Sequence, residues 1–263
     1  MCRFIAYQGE PVFVGDIICA PANSLVQQSR CAQEGKTTKN EDGFGLGWYD
    51  DQPIPRRYGG VEPAWANDGL SKTCRGVRSA MFFAHVRAST GTATSLSNCH
   101  PFSHREWLFM HNGQVGNYQQ IRGAIEAMIP ARLLRSRLGT TDSEAIFLAA
   151  IGNGLLDDPP SAMTSTLQAI CALMALAGIT ETLRFSAALT DGTTLFAFRW
   201  ANRGRPPRVY YRGAPNGLVV ASEPTDGERQ RWHEIPSGCS LISRRGRPPV
   251  VRSFGYEPLR GAA

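Results

Sequence analysis

Cysteine stands directly after the initiator methionine in MCRFIAYQGE, an unusual place for a free thiol. Methionine is trimmed when the next side chain is small, and cysteine qualifies. Trimming would leave a thiol and a free α-amine on the same residue, Cys2. That pair is complete in itself, because an α-amine titrates at about 7.7–8.0 and much of it can take the thiol proton near neutral pH. The chemistry is nucleophilic attack on a carbonyl, with no histidine needed beside the sulfur. Such a nucleophile requires a donor pair for the oxyanion it creates. The turn in FMHNGQVGN offers Asn112 through its side-chain amide and Gly113 through its backbone N–H. AHVRASTG places Arg87 and Thr90 just beyond a strand, and a guanidinium can grip a carboxylate with two bonds. TTDSEA places Asp142 in the first turn of a helix, where it can accept from an ammonium. Together these residues describe a site for an α-amino-acid head group with a carbonyl further down its side chain.

Other chemistries fit less well. The seven cysteines are an odd number without a C-x-x-C pair, which argues against a disulfide framework or a structural zinc site. Cys99, His100 and His104 have no carboxylate or second cysteine at ligand spacing, so neither metal nor cofactor is expected. The glycines of GFGLG (43–47) lack the spacing and lysine of a phosphate loop; close approach of the backbone to another group is the better reading. His85, His100 and His111 sit near strand ends, where structural hydrogen bonding is the expected role. Glu223 in ASEP reads either as an acid supporting the site or as a solvated strand end.

The bulk numbers, 42% hydrophobic and 19% charged, are those of an ordinary globular chain. The net charge of +6 is uneven: residues 199–263 hold 12 Lys+Arg against 5 Asp+Glu. RGRPP occurs twice there, at 203–207 and 245–249, and its core resembles arginine hooks that enter the DNA minor groove. Strand-like RVYY and VVRS follow the two copies, so ordered loops are expected and nucleic acid is not an expected partner. DNA association through these loops is the rival from another class. The first twenty residues lack a charged segment followed by an apolar core. The longest apolar run, 169–179, is shorter than the ~20 residues of a membrane span. No membrane contact and a cytoplasmic location are expected.

The elements that must hold these residues follow from periodicity. Strands are expected at 2–8, 43–49, 79–88 and 106–112. Helices are expected from Asn23 or Ser24, from the cap Asn117, from the capping-box pair Thr141 and Glu144, and over 160–178. A hairpin should turn at Asp191-Gly192, with RVYY, GLVVAS, WHEI and CSLIS as further strands. Strands, then helices, then strands imply antiparallel sheets with helices outside them, an α+β layered sandwich. One domain is expected over 1–263, with 241–263 a basic C-terminal extension whose order the sequence leaves open.

The set MCRFIAY, AHVRASTG, NCHPF, HNG and TDSE resembles the class II glutamine amidotransferases in order and spacing over residues 2–150. The hairpin and GLVVASEP look most like the stand-alone branch that cleaves γ-glutamyl compounds, including ergothioneine-pathway and glutathione-degrading types, and extend the resemblance to about residue 240. The resemblance implies an N-terminal-nucleophile hydrolase with a four-layer αββα sandwich. It implies Cys2 as nucleophile, Asn112 and Gly113 as oxyanion hole, Arg87 and Thr90 at the substrate α-carboxylate, and Asp142 at the α-amine. The substrate expected is a small γ-glutamyl compound or glutamine, with a separate synthase as a possible partner. Two positions depart from the ammonia-transferring synthases: Ala88 replaces a Trp, and Asn40-Glu41 replaces Arg-Gly before Asp42. These departures favour a free-standing hydrolase acting on γ-glutamyl peptides or conjugates over glutamine. The Gly43/Gly45/Gly47 face and the 203–213 loop are expected to line room for the leaving amine.

Overall fold

Neighbouring side chains of the first strand point to opposite faces, yet Phe4, Ile5, Ala6 and Tyr7 are all fully buried. A strand apolar on both faces must lie between two layers. The computed structural model, which describes residues 2–34, 39–88, 93–214 and 216–254, has that arrangement. Strand β1 (Arg3–Phe13) is followed by helices α1 (Val14–Ile18) and α2 (Leu25–Arg30), then β2 (Phe44–Trp48) and β3 (Arg56–Gly60). Next come α3 (Asp68–Gly76), β4 (Arg78–Val86), β5 (Phe102–His104) and β6 (Trp107–Gln114). Four helices follow: α4 (Tyr118–Ala127), α5 (Ala131–Leu134), α6 (Asp142–Gly152) and α7 (Pro159–Leu176). The chain then returns to strands: β7 (Arg184–Thr190), β8 (Thr194–Ala201), β9 (Tyr210–Ala214) and β10 (Gly217–Ala221). The last three are β11 (His233–Glu234), β12 (Cys239–Arg244) and β13 (Val250–Ser253).

The strands form two antiparallel sheets, ordered β11-β9-β10-β1-β4-β2-β3 and β13-β12-β8-β7-β6-β5. Phe4, Ala6, Met81 and Phe83 of the first meet Leu108, Met110, Ala188 and Ala197 of the second. The opposite face of the first sheet, with Ile5, Tyr7 and Phe82, packs on Ile18, Leu25 and Leu70 from α1, α2 and α3. The outer face of the second, with Phe109, Phe185 and Phe198, packs on Ile125, Phe147 and Met163 from α4, α6 and α7. Three apolar layers thus separate four layers of structure, the αββα order expected. Each buried large side chain contributes about 1.5–3 kcal/mol.

Local signals act where the sequence placed them. Ser24 caps α2, its Oγ accepting from Gln27 N at 3.2 Å. Thr141 Oγ1 accepts from Glu144 N at 3.2 Å, half of a capping box. The Glu144 carboxylate completes a different contact, accepting from Leu138 N (2.9 Å) and Gly139 N (2.7 Å). Asn117 is left-handed at φ 47 and makes no side-chain cap bond. The hairpin forms, with Thr190 opposite Leu195 and Gly192 at φ +87.

Five of these elements were not anticipated. β3 (RRYGG) and the three-residue β5 have no alternating apolar pattern, and α1, α3 and α5 are short. The first strand also runs past residue 8 to Phe13, with an irregularity between Gln8 and Val12 around Pro11. Residues from 241, set apart above as an extension, enter the six-stranded sheet as β12 and β13; residues 255–263 lie outside those described. Both RGRPP copies are loops. Pro206 and Pro207 of the first are buried, and the second connects β12 to β13, with Arg247 N donating to Arg244 O.

Candidate active site

β1 lies between β4 and β10, with Arg3 opposite Val86 and Phe4 opposite His85. That register carries Cys2 to the strand end where Arg87 and Ala88 emerge. Ala88 N lies 3.4 Å from Cys2 Sγ and donates to it, and Ala88 O lies 3.5 Å away. From the other sheet, β6 brings Asn112, whose Nδ2 donates to Cys2 O at 2.8 Å. Gly113 follows at φ +151, and an added Cβ would lie 1.9 Å from Arg184 O, so only glycine fits.

Asp142 opens α6 and reaches the same strand end. Its Oδ2 accepts from Val115 N and its Oδ1 from Ser143 N, both at 2.8 Å. The loop before it is fixed by Asn98, whose Oδ1 accepts from Thr140 N (2.8 Å) while Nδ2 donates to Ala93 O (2.9 Å). Arg87 is buried, and its guanidinium donates to Asp42 O and Ala93 O, each at 3.3 Å. The structure therefore gathers Cys2, Arg87, Asn112, Gly113 and Asp142 around one end of the sandwich. Thr90 lies outside the described residues.

Burial pushes the Cys2 thiol up; the Ala88 N–H, Arg87 and Arg3 partly offset this. His111 behaves as a structural residue: its Nδ1 meets Ser143 Oγ at 2.9 Å and its Nε2 meets Arg184 O at 3.3 Å. His85 and His100 depart from that expectation. Their rings lie 4.3 Å apart between the sheets, and all four ring nitrogens are buried short of a full hydrogen bond, with the Asn112 side chain and the His111 backbone approaching His85. Burial pushes His85 down to about 3 and His100 well below its usual value. Among the described residues, no group of three or more His, Cys, Asp or Glu is arranged to hold a metal.

Glu223 resolves into a buried acid rather than a solvated strand end. It pairs with Arg3 Nε at 2.8 Å, both side chains 2% exposed. It also accepts from Asn23 Nδ2 (3.1 Å) and from the backbone N–H groups of Gln33 and Glu34 (3.0 Å each). The sequence hinted at this only through Arg3, a charge inside an apolar strand. The glycine face of β2 is largely occupied: a Cβ on Gly45 would lie 2.0 Å from His100 O, and one on Gly47 would lie 2.8 Å from Pro101. This is the close approach expected. It also corrects the expected room along that face, which narrows to a cavity of about 340 Å³ bordered by Gly45, Gly59, Arg57, Leu96 and Cys99. The 203–213 loop does come near, since Pro207 O accepts from Ser186 Oγ at 2.7 Å and Ser186 is opposite Asn112.

Two facing antiparallel sheets between helix layers, with a cysteine beginning a central strand at the site, are the frame of an amidotransferase-type hydrolase. The model of the glutamine amidotransferases class-II matches residues 17–215, more than half of the chain, and the chain belongs to that family. "Probable glutamine amidotransferase DUG3" of Saccharomyces cerevisiae is 35% identical, with 98% of this chain and 87% of that protein covered. The gamma-glutamyl-hercynylcysteine sulfoxide hydrolase of Mycolicibacterium smegmatis is 29% identical, covering 90% and 92%. A solved glutamine aminotransferase class-II domain protein from Silicibacter pomeroyi is 33% identical at TM-score 0.77, covering 97% of this chain and 100% of that one. The glutamine phosphoribosylpyrophosphate amidotransferase of B. subtilis, 14% identical at TM-score 0.62, shares the fold over 98% of this chain and half of its own. Among the described residues, no helix is long and apolar enough to cross a membrane.

Proposed function

We propose that this protein hydrolyses a γ-glutamyl amide bond through Cys2 and a γ-glutamyl thioester. The observation that carries the reading is the Cys2 thiol, seated against Ala88 with Asn112 and Gly113 across from it. In this reading Met1 is removed and the α-amine of Cys2 takes the thiol proton. Sulfur then attacks the γ-carbonyl, and the Asn112 amide and Gly113 N–H stabilise the oxyanion. The C–N bond breaks, the leaving amine carries off the proton, and water activated by the same amine frees glutamate. Arg87 and Thr90 grip the substrate α-carboxylate and Asp142 its ammonium.

The substrate preferred is a γ-glutamyl peptide or conjugate. Departures at Ala88 and before Asp42 support this, as do a mycobacterial relative named for such a conjugate and the cavity beside Cys99 and His100. The test is kcat/KM for glutamine against a panel of γ-glutamyl dipeptides and thiol conjugates, read as glutamate release. A conjugate is expected to win without any partner protein. A clear win for glutamine that requires an added synthase would hand the site to a glutaminase subunit instead.

A further inference from the structure

Beside the thiol, polar atoms of the two sheets face one another. Asn112 Nδ2 is engaged with Cys2 O, while Asn112 Oδ1 and both ring nitrogens of His85 are buried short of a full hydrogen bond. His85 lies beside Phe4 in register, on the β4 face that looks toward β6. Burial makes its ring less basic, while hydrogen-bond approaches of the Asn112 side chain and the His111 backbone make it more so. A buried polar atom left unmatched costs about 1–3 kcal/mol, and here an unmatched donor and an unmatched acceptor are neighbours. A neutral imidazole has one N–H to give, and an amide oxygen can only accept.

We propose that His85 is a positioning residue for the oxyanion donor, its neutral ring giving an N–H to Asn112 Oδ1 in the reacting complex. The need follows from the shape of an amide. Rotated by half a turn, asparagine fills the same space with oxygen and nitrogen exchanged. The flipped form would turn lone pairs, instead of N–H, toward the oxyanion. The Cys2 carbonyl selects the correct orientation from one end of the amide and His85 selects it from the other. Catalytic hydrogen bonds commonly tighten only with substrate present. Burial keeps the imidazole neutral through the working pH range, so the tautomer, not a charge, does the orienting. His100, tilted 34° against His85 with ring centroids 4.3 Å apart, crowds the other side of the ring.

This inference rests on the proposed function, and its experiment separates the two. The variants are His85→Phe, His85→Gln, Asn112→Ala and the His85→Phe/Asn112→Ala double, assayed with the best γ-glutamyl dipeptide of the panel. His85→Phe should lower kcat by about 10- to 100-fold, part of the effect of a lost oxyanion donor, with KM nearly unchanged. Glutamine can still donate to Oδ1, so His85→Gln should stay within about threefold of wild type. In the Asn112→Ala background His85→Phe should add less than about threefold, because the two act as one unit. Should Phe not fold, His85→Met supplies similar bulk without a donor. Independent, multiplicative losses, or equal losses in the Phe and Gln variants, overturn the positioning role while the proposed function stands. An Asn112→Ala enzyme with unchanged kcat overturns the oxyanion assignment, and the positioning role goes with it.

Discussion

Cys2 and Arg3 are adjacent in sequence, yet they enter opposite layers, one toward a candidate active site and the other into a buried ion pair. Arg3 turns toward the helices, where one carboxylate, Glu223, collects Arg3, Asn23 and two backbone N–H groups. Cys2 turns toward the other sheet, where its thiol meets the Ala88 backbone and its carbonyl takes the Asn112 amide. A buried ion pair with further hydrogen bonds holds a strand in place, whereas a thiol in weak contacts stays available to a ligand. The contrast separates the part of the molecule that fixes the strand from the part proposed to react.

Substitutions on the two sides should therefore be read by different instruments. Cys2→Ala should lower glutamate release by about 10⁴-fold or more, the scale of losing a nucleophile. Its unfolding free energy should barely move, and intact mass of active enzyme should lack Met1. A fully active protein that retains Met1 would sink the α-amine mechanism. Glu223→Ala should do the reverse, costing about 3–5 kcal/mol in denaturant unfolding because Arg3 is left buried without its carboxylate. Unchanged stability would erase the distinction between the two layers. Asn112→Ala should lower kcat by about 10²–10³-fold with a small change in KM; a pure KM effect would move Asn112 to substrate binding.

A gentler probe is pH. His85 is pushed down to about 3 by burial, and His100 and His111 are lowered by the same cause, whereas unfolded histidine titrates near ~6.5. Between those values the unfolded chain binds more protons than the folded one. Stability is therefore full above about pH 6.5 and lost as pH falls, by up to about 1.4 kcal/mol per unit per histidine. Denaturant curves at pH 7, 6 and 5 should show the loss, and His85→Gln should make it shallower. A flat profile would mean these rings are not buried as neutral groups. The smallest effect expected is none: replacing Arg205 and Arg247 should change neither activity nor binding to A·T-rich duplex DNA at physiological salt. Salt-sensitive binding lost in that variant would reopen the DNA reading.

What was legible in the sequence was what local chemistry dictates. Asn112 and Gly113 were placed correctly near the end of a strand, although the turn expected there is strand, since β6 runs through Gln114; Thr141 announces the helix that carries Asp142. The glycines of β2 announced that something must come close, but not that it would be His100 and Pro101, more than fifty residues away. Arg3 and Glu223 are 220 residues apart, and no periodicity links them. Edge strand β3 escaped because two arginines and two glycines flank Tyr58 there and leave no apolar face. The unmatched nitrogens of His85 and His100 were invisible for the opposite reason. A histidine near a strand end looks the same in sequence whether its partners are present or not.

The position of β1 between β4 and β10 also sets a schedule. The strand that begins with Cys2 is made first, yet its second neighbour and the partner of Arg3 are more than two hundred residues later. At ~5–20 residues per second, synthesis of that stretch takes roughly 10–40 s. Throughout that interval β1 cannot be closed on both edges. When β10 and Glu223 arrive, the strand gains its second neighbour and Arg3 its carboxylate. The order of the strands thus makes β1, the earliest of those described, one of the last to be completed, and any damage to β10 would reach back to the strand beside Cys2.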